Sequence, residues 1–596
     1  MKTTTRLATL LAVATALAST AGAVTVTRGP YLQMPSDSSM TVRWRTDAPT
    51  DSRVSYGTTQ GVLTTDVDDA TPTTEHEVPL TSLTDGTEYF YEVGSTTGAL
   101  VGNDAAHRFR TNPTPGTVQP VRLWAIGDSG FVNPDHVAVR DAYAAFSTGI
   151  HTDLLLPLGD NAYNVGTDAE YQAAFFDMYQ DLLRRTPAMP TFGNHEAFSS
   201  NTLTETGPWF DMFTLPRLGE LGGVMSGTEG YYSFDLANVH FIVLDSHFSD
   251  RSPGGTMLTW LEDDLMATTA DWIIAYWHHP PYSKGLLHDS DIENREIQMR
   301  ENALPILEDL GVDLVLSGHS HNYERSNFLD GHYGFSTELA PSMVLDSGDG
   351  DADGAYRKAS VGPAAHEGAV YVVAGSTSDV RNSTLNHPAM EIGLLEFGAL
   401  VVDIDGNELT GTFLNDLGQA SDVFRIAKGA PACPAAARSG CETAGKAKLV
   451  LKKNTDPSRD RFVWKWKQGD LDPGDVGDPT DQTDLAVCVY DAGGTLLGSA
   501  VAPSASDPAG AWRPKGIGFS YKDSAAPGGI LKMRVSPGDS ASSKIAVKGK
   551  GAGLGLGTLP VALPVTAQLA NLDGGACWEA VYSTAKRNEA TKVVAP

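Results

Sequence analysis

The sequence predicts a multidomain protein with a small N-terminal β-sandwich, a central α/β/β/α sandwich and a β-rich C-terminal domain. Three observations predict this organisation. The chain has 596 residues, too many for a single hydrophobic core. Strand patterns without helices occupy residues 24–115 and 430–596, whereas strands alternate with helices over residues 118–426. Proline and glycine mark a linker, Thr111–Gly116, between the first two parts.

The N-terminal part, residues 24–115, has the two-residue period of half-buried strands. Apolar and polar residues alternate in Ser39–Arg45, and aromatic residues share one face of Tyr89–Val93. Since no helical pattern interrupts these segments, we expect a small β-sandwich.

The central part, residues 118–426, begins with strands that are followed by helices. Further strands then come without helices between them, so we expect two packed sheets with helices outside. The predicted strands are Val121–Ile126, Leu154–Leu158, Tyr231–Phe234, His240–Leu244, Trp272–Trp277, Val312–Leu316, Val370–Ala374, Leu400–Ile404 and Leu409–Phe413. The predicted helices are Asp135–Phe146, Asp168–Leu183 and Glu293–Leu310.

The C-terminal part, residues 430–596, returns to strand patterns rich in Gly and Pro. Basic and apolar residues alternate in Lys446–Leu451 and in Arg461–Lys467. We interpret these two segments as solvated edge strands. The alternative is a basic surface that binds a cell surface or an anionic polymer.

The first 23 residues have the features of a signal peptide. Lys2 and Arg6 precede the apolar run Leu7–Ala18, and Ala21–Ala23 is a small-residue cleavage pattern. Cleavage near Ala23 predicts a secreted, cell-surface or periplasmic protein. Because no later segment is long and apolar enough, we expect no membrane insertion.

Four cysteines lie in the last third of the chain, and export favours disulfides. Four cysteines allow three pairings. We expect Cys433 to pair with Cys441, and Cys488 with Cys577.

The formal net charge of −30 argues against nucleic acid as a partner, because nucleic-acid-binding proteins need a basic face. A small phosphorylated substrate is still compatible with this charge, since a bound metal ion sets its own local field.

Five short segments carry metal-ligand side chains. They are Gly127–Gly130, Gly159–Tyr163, Gly193–Glu196, His278–Tyr282 and Gly318–His321. Three of them directly follow an apolar strand, where α/β sheets place their sites. Carboxylate, imidazole and amide oxygen together suit Zn, Fe and Mn. Two Asp, one Asn and three His are too many ligands for one ion, so the set predicts two ions bridged by a carboxylate.

This ordered set resembles the metallophosphoesterase superfamily, and two positions make it similar to the purple acid phosphatases. Tyr163 lies three residues after Asp160, and Gly130 stands where other branches carry a ligand histidine. The likeness continues through His278–Tyr282 and through Gly318–Arg325. Arg28–Leu32 resembles the start of the fibronectin type III-like domain of that family, so the resemblance covers about residues 24–426.

The resemblance implies a role for each residue of the set. A ferric ion would be held by Asp128, Asp160, Tyr163 and His321. The second ion, Fe(II), Zn or Mn, would be held by Asp160, Asn194, His278 and His319. His195 would contact the phosphate or protonate the leaving group, and His288 would be a second phosphate contact.

These roles imply an acid phosphatase that hydrolyses phosphate monoesters, in which a metal-activated hydroxide attacks phosphorus. A phosphodiesterase or nucleotidase with the same metal centre is the close alternative, because the motifs do not define the leaving group. A surface-binding protein with an inactive phosphatase domain is the remoter one.

Overall fold

The computed structural model describes residues 23–351, 354–429, 433–434, 436–481, 483–504, 512–525 and 528–596. Apart from Ala23, the expected signal peptide lies outside the described residues.

Six strands form the N-terminal part: β1 (Val26–Gln33), β2 (Ser39–Gly57), β3 (Thr65–Thr81), β4 (Glu88–Ser95), β5 (Gly98–Gly102) and β6 (Arg108–Arg110). Hydrogen bonds join all six strands in one sheet. The first half of the long strand β2 pairs with β1, and its second half, after a register shift that follows Arg45, pairs with β4. The expected β-sandwich is therefore one continuous sheet. It encloses its own core, in which Trp44, Tyr91 and Phe109 are buried.

The central part has fifteen strands among the described residues. They are β7 (Val121–Ile126), β8 (Leu154–Pro157), β9 (Tyr232–Leu236), β10 (Val239–Val243), β11 (Trp272–Tyr276), β12 (Leu314–Ser317), β13 (Tyr323–Ser326), β14 (Phe328–Leu329), β15 (Val344–Asp346), β16 (Tyr356–Lys358), β17 (Val370–Ala374), β18 (Met390–Leu394), β19 (Gly398–Asp405), β20 (Glu408–Asn415) and β21 (Ala420–Lys428).

Two sheets dominate this part. One has the order β18-β13-β17-β12-β11-β10-β9, with β10, β11, β12 and β17 parallel, and the other has the order β16-β21-β20-β19-β7-β8. Alternate residues along a strand separate two cores. On β11, Ile274 joins the large core that also holds Leu123 and Leu400 of the second sheet, whereas Ile273 joins an outer core with Leu261.

Helices cover the outer faces. They are α1 (Pro134–Phe146), α2 (Asp168–Tyr171), α3 (Gln180–Leu183), α4 (Pro208–Met212), α5 (Thr256–Ala267), α6 (Asn294–Gln298) and α7 (Leu304–Asp309). α5 and α7 pack under the seven-stranded sheet, and Tyr143 of α1 stacks on Trp124 of the other sheet at 4.0 Å. The layers are therefore helix, sheet, sheet, helix.

Two predicted helices are interrupted. π-helical turns at Gln172–Phe176 and Met299–Ala303 break them into short pieces. The second break ends two residues before Pro305, which has no N–H to donate to the preceding turn.

The C-terminal part contains α8 (Pro473–Val476) and thirteen strands among the described residues: β22 (Glu442–Thr443), β23 (Lys446–Lys452), β24 (Arg461–Lys467), β25 (Leu485–Tyr490), β26 (Leu496–Ala502), β27 (Trp512–Lys515), β28 (Gly518–Lys522), β29 (Ile530–Ser536), β30 (Lys544–Lys550), β31 (Val565–Asn571), β32 (Cys577–Tyr582), β33 (Arg587–Glu589) and β34 (Lys592–Ala595). They form a five-stranded sheet, β22-β32-β31-β25-β26, and an eight-stranded sheet, β27-β28-β29-β30-β24-β23-β34-β33.

The interpretation of Lys446–Leu451 and Arg461–Lys467 as edge strands is wrong. β23 pairs with β24 and β34, and β24 pairs with β23 and β30, so both strands lie inside the eight-stranded sheet. Their apolar residues Trp464 and Leu451 pack against the five-stranded sheet, and their basic residues face outward.

The expected disulfide pairing is also wrong. The bonds join Cys433 to Cys488 and Cys441 to Cys577. Strand register explains the second bond, because β22 runs parallel to β32 with Glu442 opposite Trp578, which brings the preceding residues of both strands together.

Ion pairs connect the three parts. Arg28 of the first sheet bonds to Asp168 of α2 at 2.8 Å, and Arg357 of β16 contacts Asp573 of the C-terminal part at 3.0 Å. Among the residues that the structure describes, no helix combines the length and apolar character needed to span a bilayer.

Candidate metal centre

The five ligand segments converge at one edge of the two central sheets. Asp128 follows β7, Asp160 follows β8, His278 follows β11 and His319 follows β12. Three of these residues turn the chain in the left-handed region, with φ of +54° at Asp128, +52° at Asp160 and +67° at His319. Such backbone is strained for residues other than glycine and is concentrated at functional sites.

Close packing of the loops requires glycine at one position. A Cβ on Gly193 would lie 2.2 Å from Oδ1 of Asp160, so this loop could not approach Asp160 with any larger residue. The small residue thereby places the next residue, Asn194, at the cleft.

One group of ligand atoms surrounds the hydroxyl of Tyr163. This hydroxyl lies 2.8 Å from Oδ1 of Asp128, 3.1 Å from Nε2 of His321 and 3.3 Å from Oδ2 of Asp160. Nε2 of His321 is also 3.3 Å from Oδ1 of Asp128. These four residues are the ones that the sequence resemblance assigned to a ferric ion.

A second group surrounds Nε2 of His278. This nitrogen lies 3.1 Å from Oδ1 of Asn194, 3.2 Å from Nδ1 of His319 and 3.3 Å from Oδ2 of Asp160. These four residues are the ones assigned to the second ion. Oδ2 of Asp160 thus lies 3.3 Å from the central atom of each group, which is the position of a bridging carboxylate.

The outer nitrogen of each of the three imidazoles is held by an acceptor. Nδ1 of His278 donates to the carbonyl of Leu158 at 2.8 Å, Nε2 of His319 faces Glu293 at 3.0 Å, and Nδ1 of His321 faces Asp379 at 2.7 Å. Imidazoles that bind metals are oriented in this way, with the second nitrogen turned into the site.

This orientation is a test of whether the residues fit metal ions. In the neutral imidazoles, whose outer nitrogens carry the proton, the inner nitrogens present lone pairs to carboxylate, amide and phenol oxygens, and each of these atoms can bind a cation. A cluster of lone pairs facing one another is unfavourable without positive charge between them. The residues present therefore fit two cations that share Asp160.

The charges of the cluster point the same way. Burial alone would lower the pKa of a histidine, yet Asp160 raises the pKa of His278 to about 10, and the bonds with Asp128 and Asp379 raise the pKa of His321 to about 9. Burial would raise the pKa of the Asp160 carboxyl, but the charge of His278 holds it below its usual range. Without bound metal, the carboxylates thus favour a positive charge on His278 and His321, and bound cations would supply that charge in its place.

His195 and His288 both lie at the cleft. The ring of His195 meets that of Tyr163 edge-on at 4.5 Å, its Nδ1 donates to the carbonyl of Asn164 at 2.6 Å, and its side chain is 30% exposed. The ring of His288 lies 3.8 Å from that of His319, and its Nδ1 is 3.2 Å from Glu293. The structure therefore brings every predicted site residue to one cleft.

Sequence reasoning missed three carboxylates that organise this cleft. Glu293 contacts His319 and His288, Asp379 contacts His321, and the buried Glu196 accepts hydrogen bonds from the backbone N–H groups of two ligand loops. Glu196 is the last residue of the segment Gly193–Glu196, but no role was predicted for it. Glu293 and Asp379 have no motif around them.

Comparison with known proteins gives matches to the first two parts of the chain. A family model described as calcineurin-like phosphoesterase matches residues 121–323, and one described as the N-terminal domain of purple acid phosphatase matches residues 28–111. Acid phosphatase type 7 of Homo sapiens is 31% identical over 330 residues, which cover 50% of this chain and 69% of that protein.

Purple acid phosphatase 15 of Arabidopsis thaliana is 28% identical over 304 residues, which cover 46% of this chain and 53% of that protein. The chain spans 62% of the length of purple acid phosphatase 23 of the same plant. A purple acid phosphatase from yellow lupin (Lupinus luteus) seeds has a similar fold, with a TM-score of 0.54 at 19% identity over 67% of this chain and 75% of that one.

Proposed function

Because the chain belongs to the purple acid phosphatase family of metallophosphoesterases, we propose that it is a secreted acid phosphatase that hydrolyses phosphate monoesters at a dinuclear metal centre. The observation that carries this proposal is the position of Asp160, whose Oδ2 lies 3.3 Å from the central atom of each ligand group. Two disulfides fit a protein of an oxidising compartment and support its export.

In this proposal Asp128, Asp160, Tyr163 and His321 hold Fe(III). Asp160, Asn194, His278 and His319 hold Fe(II), Zn or Mn. A metal pair supplies Lewis acidity that activates water and neutralises charge on the phosphoryl group. The chain's own contribution is to fix both ligand groups on rigid strand ends and to hold three imidazoles through their outer nitrogens.

His195 is proposed to act on the leaving group. Since its Nδ1 donates to the carbonyl of Asn164, its Nε2 is the atom free to face the substrate, and this nitrogen is 3.8 Å from Asp160. A nitrogen at the rim of the cleft can contact the phosphate or pass a proton to the departing alkoxide. His288, beside His319, would contact the phosphate from the other side.

We also propose domain limits of 24–115 for a fibronectin type III-like domain, 118–426 for the catalytic domain and 430–596 for a β-rich domain outside the matched regions. The signal peptide would end near Ala23.

The experiment that tests this function combines metal analysis with a substrate panel on the purified full chain. The wild type should contain two transition-metal ions per chain and hydrolyse an aryl phosphate monoester at acidic pH. His278→Asn should lose metal and lower kcat/KM by roughly a hundredfold or more, as changes at metal centres do.

His366→Asn is the matched control, because the side chain of His366 is half exposed and, among the described residues, pairs with Asp309 and Asp330 alone. It should change neither metal content nor activity. A metal-loaded wild type that cleaves diesters and leaves monoesters intact would assign a phosphodiesterase, and one that cleaves neither would assign an inactive domain.

A further inference from the structure

The outward face of the eight-stranded sheet is strongly basic. Five adjacent strands, β28, β29, β30, β24 and β23, contain no Asp or Glu, and all of their basic residues occupy outward positions. These residues are Lys446, Lys448, Lys452, Arg461, Lys465, Lys467, Lys522, Lys532, Arg534, Lys544, Lys548 and Lys550. We refer to them as the cationic face.

The charge of the whole chain makes this face unusual. Residues 430–596 contain 20 of the 43 Lys and Arg but only 16 of the 73 Asp and Glu, although the chain has a net charge of −30. The basic residues are thus segregated onto one surface of an acidic protein, which is the pattern of an electrostatic binding site.

Like charges lie directly opposite each other across this face. Lys446 faces Lys467 and Lys448 faces Lys465 on β23 and β24, and Lys532 faces Lys548 on β29 and β30. Side chains opposite each other on one face of a sheet have Cβ atoms about 5 Å apart, and like charges there destabilise the sheet. A sheet with these opposed lysines is less stable than the same sheet with neutral residues there, and such a cost in stability is typical of a surface used for binding.

The face also has a hollow at its centre. A cavity of about 290 Å³ lies over β24, β30, β29 and β28, with Ala546, Val463 and Ser520 among its lining residues. Five cations line it: Lys465, Lys522, Lys532, Arg534 and Lys548. None of the five forms an ion pair with a carboxylate of any described residue, so their charges are available to a ligand.

The size of the face and the type of cation indicate a polymeric ligand. Five strands at about 4.8 Å spacing and seven residues at about 3.3 Å rise make a face of roughly 20 Å by 20 Å, too wide for one small anion. Ten of the twelve cations are Lys, which acts as a point charge, and only Arg461 and Arg534 can bind an anion in the two-pronged manner of guanidinium. Such a face suits a polymer that carries many separate negative charges along its length.

Two other anionic partners fit less well. The outward positions of the five strands carry no aromatic side chain on which nucleic-acid bases could stack. They also carry no exposed large apolar side chain that could enter a bilayer, which peripheral membrane binding needs in addition to basic charge.

We propose that the cationic face of the eight-stranded sheet is a binding site for a linear anionic polysaccharide. The site would hold the chain on a carboxylated or sulfated polymer, with the polymer crossing the strands through the central hollow. This proposal goes beyond the phosphatase function and does not depend on it, because binding needs neither metal nor turnover.

The test measures binding of the full chain to immobilised heparin and polygalacturonate, with neutral dextran as the blank, at several salt concentrations. The variant Lys465→Gln/Lys532→Gln/Lys548→Gln removes three charges of the cationic face. Its matched control, Arg110→Gln/Arg185→Gln/Arg459→Gln, removes three exposed charges elsewhere.

The wild type and the control should bind both acidic polymers and not dextran. For the variant of the cationic face, the slope of log Kd against log salt concentration should fall by roughly two to three. Each of the three lost charge contacts contributes about 0.7–0.9 to this slope. Its melting temperature should be unchanged or higher, because opposed lysines are relieved, and its activity on an aryl phosphate should equal that of the wild type.

Three outcomes would overturn the proposal. They are no binding of the wild type at about 50 mM salt, an equal loss of binding in the variant and its control, and tighter binding to double-stranded DNA or phosphatidylserine vesicles than to either polysaccharide.

Discussion

Glu293 is a carboxylate that holds two imidazoles of the cleft at once. Its Oε1 is 3.0 Å from Nε2 of His319, and its Oε2 is 3.2 Å from Nδ1 of His288. Both contacts hold the pKa of Glu293 well below its usual range although burial opposes this. The carboxylate therefore stays ionised and fixes which nitrogen of His319 faces the metal site.

We predict that Glu293→Gln lowers the affinity for the second metal ion by about ten- to a hundredfold, as loss of such supporting carboxylates does. Gln keeps the size of the side chain but not its charge. Metal titration of the apoprotein, monitored by activity and by calorimetry, measures the change. Asp289→Asn, in the same loop but bonded to Lys284, is the control. Equal metal affinities of Glu293→Gln and the wild type would show that Glu293 only packs beside His319.

In the proposed centre, Tyr163 is the ligand that distinguishes a ferric site from a two-zinc site. A phenol has a pKa near 10, and burial beside Asp128 and Asp160 raises the pKa of Tyr163 further in the absence of metal. Only a strongly Lewis-acidic ion would hold it deprotonated in acid. We predict that the iron-loaded wild type is coloured and that Tyr163→Phe loses the visible charge-transfer band while retaining its fold.

The control for Tyr163 is Tyr143→Phe. Tyr143 is also buried, but its hydroxyl bonds to Thr152, which lies before β8, whereas the ligand segment Gly159–Tyr163 follows that strand. This variant should keep the band. An active, iron-loaded wild type without colour would make Tyr163 a packing residue.

At the residue scale, the sequence predicted the convergence of ligand-type side chains because every proposed metal ligand except Asn194 sits in a short motif that follows a strand. Asp128, His278 and His319 could be placed in the site without any tertiary contact, from the rule that α/β sheets have their sites at the carboxyl ends of strands. Asp379 and Glu293 could not be found in this way. Asp379 is 58 positions from His321 in sequence, and only the fold brings the two together.

At the element scale, helix α2 joins the first sheet to the central part through one carboxylate. Asp168 accepts from Arg28 at 2.8 Å and from Arg45 at 2.6 Å, and the side chain of Arg28 is fully buried. The hydrogen bond from Arg45, together with that from Arg28, lowers the pKa of Asp168 to about 2.

We predict a pH-dependent contribution of Asp168 to stability. Because its folded pKa of about 2 lies below the unfolded value of 3.8, the stabilisation is fully present above about pH 4 and is lost as the pH falls towards 2. The side chain is 43% exposed, so we expect about 1 kcal/mol after solvent screening. Urea unfolding from pH 2 to 7 measures the free energy of unfolding of the wild type and of Asp168→Asn. The wild type should be the more stable above about pH 4, and the two values should converge as the pH falls towards 2.

Asp181→Asn serves as the reference for this measurement, because Asp181 is 94% exposed and, among the described residues, pairs with Arg184 alone, which directly follows α3. Its effect should be small at every pH. A difference for Asp168→Asn that does not change with pH would mean that the contact acts by shape and not by charge.

The positions of strands were predicted better than the continuity of helices and the pairing of cysteines. The pattern Thr256–Ala267 has apolar residues at helical spacing and could have been recognised as α5. The two π-helical turns could not, because the pattern is continuous through them. The disulfides required strand register, which places Cys441 beside Cys577 and has no signature in cysteine spacing.

At the scale of the whole molecule, the ligand segments and the cationic face belong to different parts of the chain. The carboxylates and imidazoles of the cleft lie before residue 380, and the cationic face begins at Lys446. The order of these parts could be predicted from composition. A basic surface was one of two interpretations of Lys446–Leu451 and Arg461–Lys467, but its extent could not be predicted, because the face arises only when β24 and β30 become neighbours.

The last strand of the central part determines where the C-terminal part can be removed. Lys428 ends β21, and its buried Nζ lies 2.8 Å from Oδ2 of Asp313. Removing one partner of a buried ion pair is strongly destabilising. A chain that ends after Gly429 keeps this pair and loses only peripheral contacts such as that of Arg357 with Asp573.

We predict that the chain ending after Gly429 keeps both metals and, within about twofold, the kcat/KM of the full chain on an aryl phosphate, because no proposed ligand lies beyond His321 and Asp379 is retained. The same protein should no longer bind heparin. A chain ending after Gln419, which lacks β21, should fail to fold, because β20 loses its neighbouring strand and Asp313 loses Lys428, one of the two buried lysines that pair with it. Circular dichroism, metal content and activity, measured together, distinguish the folded chain expected for Gly429 from the unfolded chain expected for Gln419. A chain ending after Gly429 that is folded and metal-loaded but inactive would show that the C-terminal part shapes the active site.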